Sequence, residues 1–250
     1  MLTLALTLAA FSLVDPVPAD KMRDLATDRP DLTEGPFTVD AGHLQLEMDA
    51  VVASLEGDFA GATFAGLNAR VGLTDAVDVH LIVPTLGVEY VGDDEPLSSF
   101  GDLTLRLKWN LFGNADGDVA VALLPYLVVP GDLRTTGGLI VPVNFNLPLG
   151  FGLGAMVQAE VLRIASRRGE VIAPDIVVSA SASHAIVGGV GAYLEVLFEG
   201  SDFGTIESWA SAGTTWQPSA DLQFDLGARV RNDQGVGARF EGFAGLTVRR

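Results

Sequence analysis

The charged residues of this chain recur at every second position inside otherwise apolar stretches. Side chains that alternate along a β-strand point to opposite faces, so each stretch has one charged face and one apolar face. Charges of both signs that share a narrow interior are expected to pair, because an unpaired buried charge is costly. The pattern assigns to the charged face Glu47, Arg70, His80, Asp102, Arg106, Lys108, Glu160, Glu195, Asp225 and Arg229.

Two functions fit such a charged face, and the sequence leaves both open. One is a constriction that selects permeating solutes by charge and size. The other is structural filling, in which the charges only neutralise one another. In either case we expect one ion-pair network, joining the cations Arg70, Arg106, Lys108 and Arg229 to the anions Glu47, Asp102, Glu160 and Asp225.

The residue types and their spacing do not indicate an enzyme. The chain has no cysteine, which excludes disulfides, thiolate metal sites and a cysteine nucleophile. His184 follows Ser179, Ser181 and Ser183, but the alternation places it on the opposite strand face, so it forms no triad with them. No phosphate loop, nucleophile elbow or pair of metal ligands at helical spacing occurs. We therefore predict no enzyme activity, no cofactor and no metal site.

The balance of charge argues against a nucleic-acid partner. The chain carries 15 Lys and Arg against 32 Asp and Glu, a net charge of −17. Binding to phosphates requires clustered basic residues, whereas the basic residues here are scattered along the chain.

The elements that must position the charged face are β-strands, about twelve of them. Between residues 42 and 250 the alternation recurs in stretches of roughly ten or more residues, separated by turn residues. About nine to eleven tilted residues cross a bilayer, whereas strands of soluble proteins most often have about five or six. The predicted fold class is therefore all-β, an antiparallel transmembrane β-barrel in the outer membrane of a Gram-negative bacterium. Its partners would be the outer-membrane lipid and the barrel-insertion machinery, and the sequence sets no oligomeric state.

Two segments precede the predicted barrel. Residues 1–19 begin with an apolar run and end in Val17-Pro18-Ala19, which predicts a cleaved signal peptide; a buried strand or a short anchor is the alternative. Residues 20–41 are polar and contain Pro30 and Pro36, which oppose strand pairing. In this second segment Asp28, Arg29 and Asp31 suit pairing with charges of the barrel interior. The segment is therefore either a plug of the lumen or a disordered periplasmic tail.

Four stretches of the chain resemble one known family. They are TDRPDLTEGPFTV at 27–39, GHLQLE at 42–47, VGLTD at 71–75 and GDLTLRLKW at 101–109. They are similar to the outer-membrane β-barrel transporters named after the meta-pathway of phenol degradation. The resemblance covers nearly the whole chain from about residue 26, and it implies an outer-membrane barrel associated with uptake of small, aromatic compounds.

The size of the predicted barrel bounds its function. Eight strands leave an interior that side chains fill, and sixteen to eighteen leave an aqueous channel, so about twelve predict a narrow or partly plugged pore. Our leading hypothesis is a porin-like channel for passive passage of a small-molecule permeant of aromatic or amphipathic character. The alternative is a structural or surface-interaction barrel with a filled lumen.

Overall fold

The computed structural model describes residues 15–83, 86–91, 97–129, 136–166, 169–201, 205–233 and 237–250. The apolar run of the predicted signal peptide, 1–14, lies outside these residues. The β-strands are β1 (Leu44–Glu56), β2 (Phe59–Thr74), β3 (Val77–Val83), β4 (Leu86–Val91), β5 (Leu97–Phe100), β6 (Leu103–Phe112), β7 (Val119–Val129), β8 (Thr136–Leu147), β9 (Phe151–Ser166), β10 (Gly169–Val187), β11 (Val190–Ser201), β12 (Thr205–Ser219), β13 (Leu222–Asp233) and β14 (Gly237–Arg249). Two 3-10 helices, Ala19–Lys21 and Pro148–Gly150, accompany them. No helix within the described ranges is long and apolar enough to cross a membrane.

The strands close into one antiparallel barrel. Each strand pairs with its neighbours along the chain, and β1 pairs with both β2 and β14, which closes the sheet. β3 and β4 pair in succession with the same strand, β2, while β6 pairs with β3 and β5 with β4. β3 and β4 follow one another on β2 in a single register, and β5 and β6 lie in line on the far side of them, separated by Gly101 and Asp102. The fourteen described segments therefore form twelve barrel strands. The prediction of about twelve antiparallel strands is confirmed.

The two faces of the barrel wall differ in the way that the alternation predicts. On β11, Leu194 and Phe198 are 66% and 52% exposed on the outer surface, whereas Tyr193, Glu195 and Leu197 are buried on the inner one. Apolar side chains outside and charged side chains inside reverse the arrangement of a soluble protein. They suit a wall that is surrounded by lipid hydrocarbon.

Most of the N-terminal segment (residues 20–41) lies inside the barrel, and its first residues lie at the rim. It passes the rim at which the chain leaves β14, here called the terminal rim, where Ala41 bridges to Gly72 of β2. A Cβ at Gly72 would overlap the backbone of Asp40, so glycine is required for this close approach. Further along, Arg29 contacts β1 and β13, and Thr33 contacts β10 and β11. A segment that touches the wall on several sides must occupy the lumen.

Candidate functional site

One side of the lumen, formed by β2, β3 and β6, carries a buried basic cluster. Arg70 of β2 has no exposed surface, and its guanidinium lies within 2.8 Å of Glu47 Oε1 and 3.0 Å of both Asp78 Oδ2 and Asp28 Oδ2. Lys108 Nζ of β6, equally buried, lies 2.5 Å from Asp28 Oδ1. Burial by itself would raise the pKa of Asp28, but Arg70 and Lys108 outweigh it and hold that pKa well below its usual range.

Strand register explains why these side chains meet. Arg70 pairs across the ladder with His80, and His80 in turn with Arg106, so the three lie side by side on neighbouring strands. The cation of Arg106 contacts the carboxylate of Glu34 from the N-terminal segment. His80 Nε2 lies 2.9 Å from Asp78 Oδ1. The basic side is therefore neutralised partly by the wall and partly by the segment.

An acidic side of the lumen, formed by β1, β11 and β13, offers carboxylates to the segment; β1 is the direct neighbour of β2, and β13 and β11 follow it around the wall. Arg29 donates two hydrogen bonds to Asp225, of 2.7 and 3.1 Å, and a further one to Asp49. Glu195 of β11 accepts hydrogen bonds from Leu32 N at 2.9 Å, and from Thr33 N and Oγ1 at 2.6 Å each. Charge-assisted hydrogen bonds such as these are stronger than neutral ones. They fix the segment against the acidic side.

Asp31 is the acidic residue of the segment that faces other acids. It lies near Glu195 and Asp28, with the hydroxyl of Ser181 as its polar neighbour on the wall. Burial, and then the negative charge of Glu195, raise the pKa of Asp31 to about 7. The charge of this carboxyl therefore changes close to neutral pH.

Two cavities flank the segment. One, of about 700 Å³, opens toward the terminal rim and is bordered by the turn at Gly188 and Gly189. The other, of about 360 Å³, lies on the side of the segment that faces away from the terminal rim. It is bordered by wall residues that include Asn68, Asp102, Arg106 and Phe243. The residues that border both cavities are Arg29, Pro30, Asp31 and Glu34 of the segment. These four separate the two cavities.

The structure brings together most of the predicted charged face but with partners other than those expected. Arg70 pairs with Glu47 as predicted, whereas Arg106, Lys108 and Asp225 pair with the segment. Arg229 pairs with Glu241 at 2.5 Å because register places Glu241 directly opposite it on β14. The predicted network contains wall residues only, whereas in the structure the segment takes the place of several of those partners.

Two predicted members lie away from this network. Asp102 precedes β6 in the break after β5 and is exposed at the cavity border. Glu160 accepts a 2.8 Å hydrogen bond from Tyr126 Oη and contacts none of the four predicted cations. The expected pairing of these two carboxylates within the network is therefore wrong.

Three partners were missed by the sequence reasoning: Glu34, Asp78 and Glu241. A signal for Asp78 was present, since it lies two residues before His80 and so shares its strand face. Glu34 lies in the same polar segment as Asp28. No local pattern distinguishes Glu241, because its pairing depends on the register between β13 and β14.

Ser179 and His184 do not meet in the structure. Ser179 is buried and lies 2.8 Å from Thr33 Oγ1, whereas His184 stacks on Phe151 with ring centroids 4.1 Å apart near the terminal rim. Among the described residues, no group of three or more His, Cys, Asp or Glu side chains is arranged to hold a metal ion.

Comparison with known proteins agrees with this architecture. A family model described as "Putative MetA-pathway of phenol degradation" matches residues 27–249. The COG4313 outer membrane channel from Pseudomonas putida F1 is 12% identical with a TM-score of 0.59, over 90% of this chain and 100% of that one. The NanC porin is 8% identical with a TM-score of 0.58, over 82% of this chain and 98% of that one. No curated protein matches the sequence. These likenesses show the fold of an outer-membrane β-barrel, and with its apolar outer surface the chain is located in an outer membrane.

Proposed function

The chain belongs to the putative MetA-pathway phenol-degradation family, and from this premise we propose that it is an outer-membrane channel for passive passage of small molecules. We propose further that the N-terminal segment is its plug. The observation that carries both proposals is the pair of cavities that meet at four residues of one segment. Movement of that segment alone would join them into a path through the barrel.

The contacts that hold the segment suit reversible docking. They are mainly ion pairs and hydrogen bonds to the wall, such as Arg29 with Asp225 and the amides of Leu32 and Thr33 with Glu195. Water can replace such contacts when the segment leaves, whereas a large apolar interface would resist separation. Leu32 is a partly buried apolar residue that packs against the apolar cluster of the wall.

We propose small amphipathic or aromatic molecules as permeants. The inner wall places the rings of Tyr126, Tyr193 and Phe243, all at least nine-tenths buried, among its charged side chains. The guanidinium of Arg106 lies 5.8 Å from the ring centroid of Tyr126, and that of Arg229 lies 5.6 Å from the ring centroid of Phe243. A solute with a polar group and a flat apolar body would find both kinds of contact there.

A disulfide between segment and wall tests the plug directly. Thr33 Oγ1 and Ser179 Oγ are 2.8 Å apart and the chain has no cysteine, so Thr33→Cys with Ser179→Cys creates one cross-link of suitable reach. In planar bilayers we expect the oxidised double variant to be silent and the reduced form to show discrete conductance steps. The Ser179→Cys single variant, which cannot form the cross-link, is the control and should conduct under both conditions. Equal conductance of the oxidised and reduced double variant would refute the plug.

The second candidate function is a barrel with a permanently filled lumen. It is favoured by the complete burial of Arg70 and Lys108, both of which the docked segment neutralises. It predicts that the folded barrel is silent in the reduced as well as the oxidised form. Heat-modifiable migration in electrophoresis would verify that the silent protein is folded.

A further inference from the structure

Two adjacent residues of the segment bind two sites of opposite charge on the lumen wall, here called the basic pole (Arg70 and Lys108) and the acidic pole (Asp49 and Asp225). The carboxylate of Asp28 lies 2.5 Å from Lys108 Nζ and 3.0 Å from Arg70 Nη1. The guanidinium of Arg29 lies 2.7 Å from Asp225 Oδ1 and also contacts Asp49. The segment thus presents a negative and a positive group, one residue apart, to a basic and an acidic side of the wall.

Withdrawal of the segment would leave one charge at each pole without its ion-pair partner. Within the described part of the chain, Asp28 is the ion-pair partner of Lys108, and Arg29 is that of Asp225; neither wall side chain has exposed surface. Arg70, in contrast, keeps Glu47 and Asp78. Both side chains are buried only while the segment is docked, so in an open lumen they would face water, and ligands of the opposite charge could restore both pairs.

An unsatisfied hydrogen-bond donor lies beside the basic pole. The Nε atom of Arg106 is buried and has no hydrogen-bond partner even with the segment docked. The same residue borders the 360 Å³ cavity, which also touches Asp28, Arg29 and Asp49. Arg106 therefore adds an unsatisfied hydrogen-bond donor close to the border of this cavity.

We propose that the wall forms a binding site for a small zwitterion, with Lys108 and Arg70 holding its carboxylate and Asp225 and Asp49 holding its ammonium or guanidinium group. The proposal rests on the proposed channel function, since the permeant would take the place of the plug. A simple anion restores only the basic pole and a simple cation only the acidic pole. The two charged groups of the ligand would take the places of the Asp28 carboxylate and the Arg29 guanidinium, which belong to adjacent residues.

Binding is measured by calorimetric titration of the folded full-length chain in detergent. The variant Asp28→Asn with Arg29→Gln removes the two charges of the segment and leaves the wall unchanged. The probes are 4-guanidinobutyrate, butyrate and butylguanidinium. We expect the variant to bind 4-guanidinobutyrate at least tenfold more tightly than either single-charge probe and tenfold more tightly than the wild-type chain does. Adding Asp225→Asn should abolish that preference.

A second measurement tests the same site without the Asp28→Asn, Arg29→Gln double variant, in case that variant does not fold. In an otherwise wild-type chain, Thr33→Cys places a thiol where the native side chain is 4% exposed. When 4-guanidinobutyrate competes with the segment for the wall, the thiol at position 33 should react with a maleimide severalfold faster. The two single-charge probes should leave this rate unchanged. Equal effects of butyrate or of butylguanidinium, or no effect of any probe, would overturn the zwitterion site. These readouts do not use conductance, so a silent barrel that binds the zwitterion would refute the channel and retain the site.

Discussion

Replacing Asp31 by asparagine is expected to remove most of the pH dependence of plug docking. In the docked segment the pKa of Asp31 is about 7, raised by burial and by Glu195, whereas a solvated aspartate has a value of 3.8. The docked form therefore holds a proton that the released form gives up. This contribution to docking is fully present below pH 3.8 and is lost as the pH rises through about 7.

The size of the effect follows from the shift. A difference of about three pKa units corresponds to about 4 kcal/mol at 1.36 kcal/mol per unit. The two cavities bring water to the carboxyl, and screening by that water reduces the figure to about 2 kcal/mol. The ratio of released to docked segment should then rise about thirtyfold between acidic pH and pH 8.

The assay is single-channel open probability in planar bilayers from pH 4.5 to pH 8. The open probability of the wild-type chain should rise with pH, and that of Asp31→Asn should stay low and nearly constant. A rise of the same sign is expected to remain from Glu34, whose pKa burial also raises. Asp24→Asn is the matched control, because Asp24 belongs to the same segment but is exposed. An open probability that falls with rising pH, or an Asp31→Asn variant with the wild-type slope, would refute the reasoning.

Two further substitutions separate docking of the plug from stability of the barrel. Glu195→Gln keeps an acceptor for Thr33 but removes the charge. At pH 5, where docked Asp31 is protonated and no longer repels Glu195, this should weaken docking by about 1–2 kcal/mol and raise open probability about tenfold, with unchanged heat-modifiability. Gly227→Ala places a Cβ 2.5 Å from the ring of Phe243 and 2.8 Å from a backbone oxygen, which should destabilise the barrel by about 1–3 kcal/mol in urea unfolding. Gly242→Ala is the control, because a Cβ at this position has no atom within 4 Å, and this variant should unfold at the same urea concentration as the wild type. Equal urea midpoints for the two variants would show that the ring of Phe243 moves aside without cost.

The ion pairs between the segment and the two charged sides of the lumen explain how so many charges can be buried inside this barrel. Buried ion pairs are tolerated when each charge has good partners and remaining polar atoms are satisfied. Here the wall alone does not meet this condition at Lys108 and Asp225, and the segment completes it. The segment is therefore part of the buried network and not an addition to it.

The amino-acid sequence by itself determined the number of strands and the face to which each residue belongs. The period of two is a local property, because successive side chains of any extended strand alternate whatever lies beside it. That is why the alternation of Leu194 and Phe198 with Glu195 was readable without a structure. It also sufficed to select Asp28 and Arg29 as charges suited to the lumen.

Only the tertiary structure decided which charges meet. Arg29 and Asp225 are 196 residues apart, and their contact depends on the closure of β1 against β14 and on the register of every ladder between them. No local pattern encodes the path of the segment through the lumen, so the wall-only network predicted for Arg106 and Lys108 lacked their actual partners. Strand periodicity is set residue by residue, whereas partners across a lumen are set by the geometry of the closed barrel.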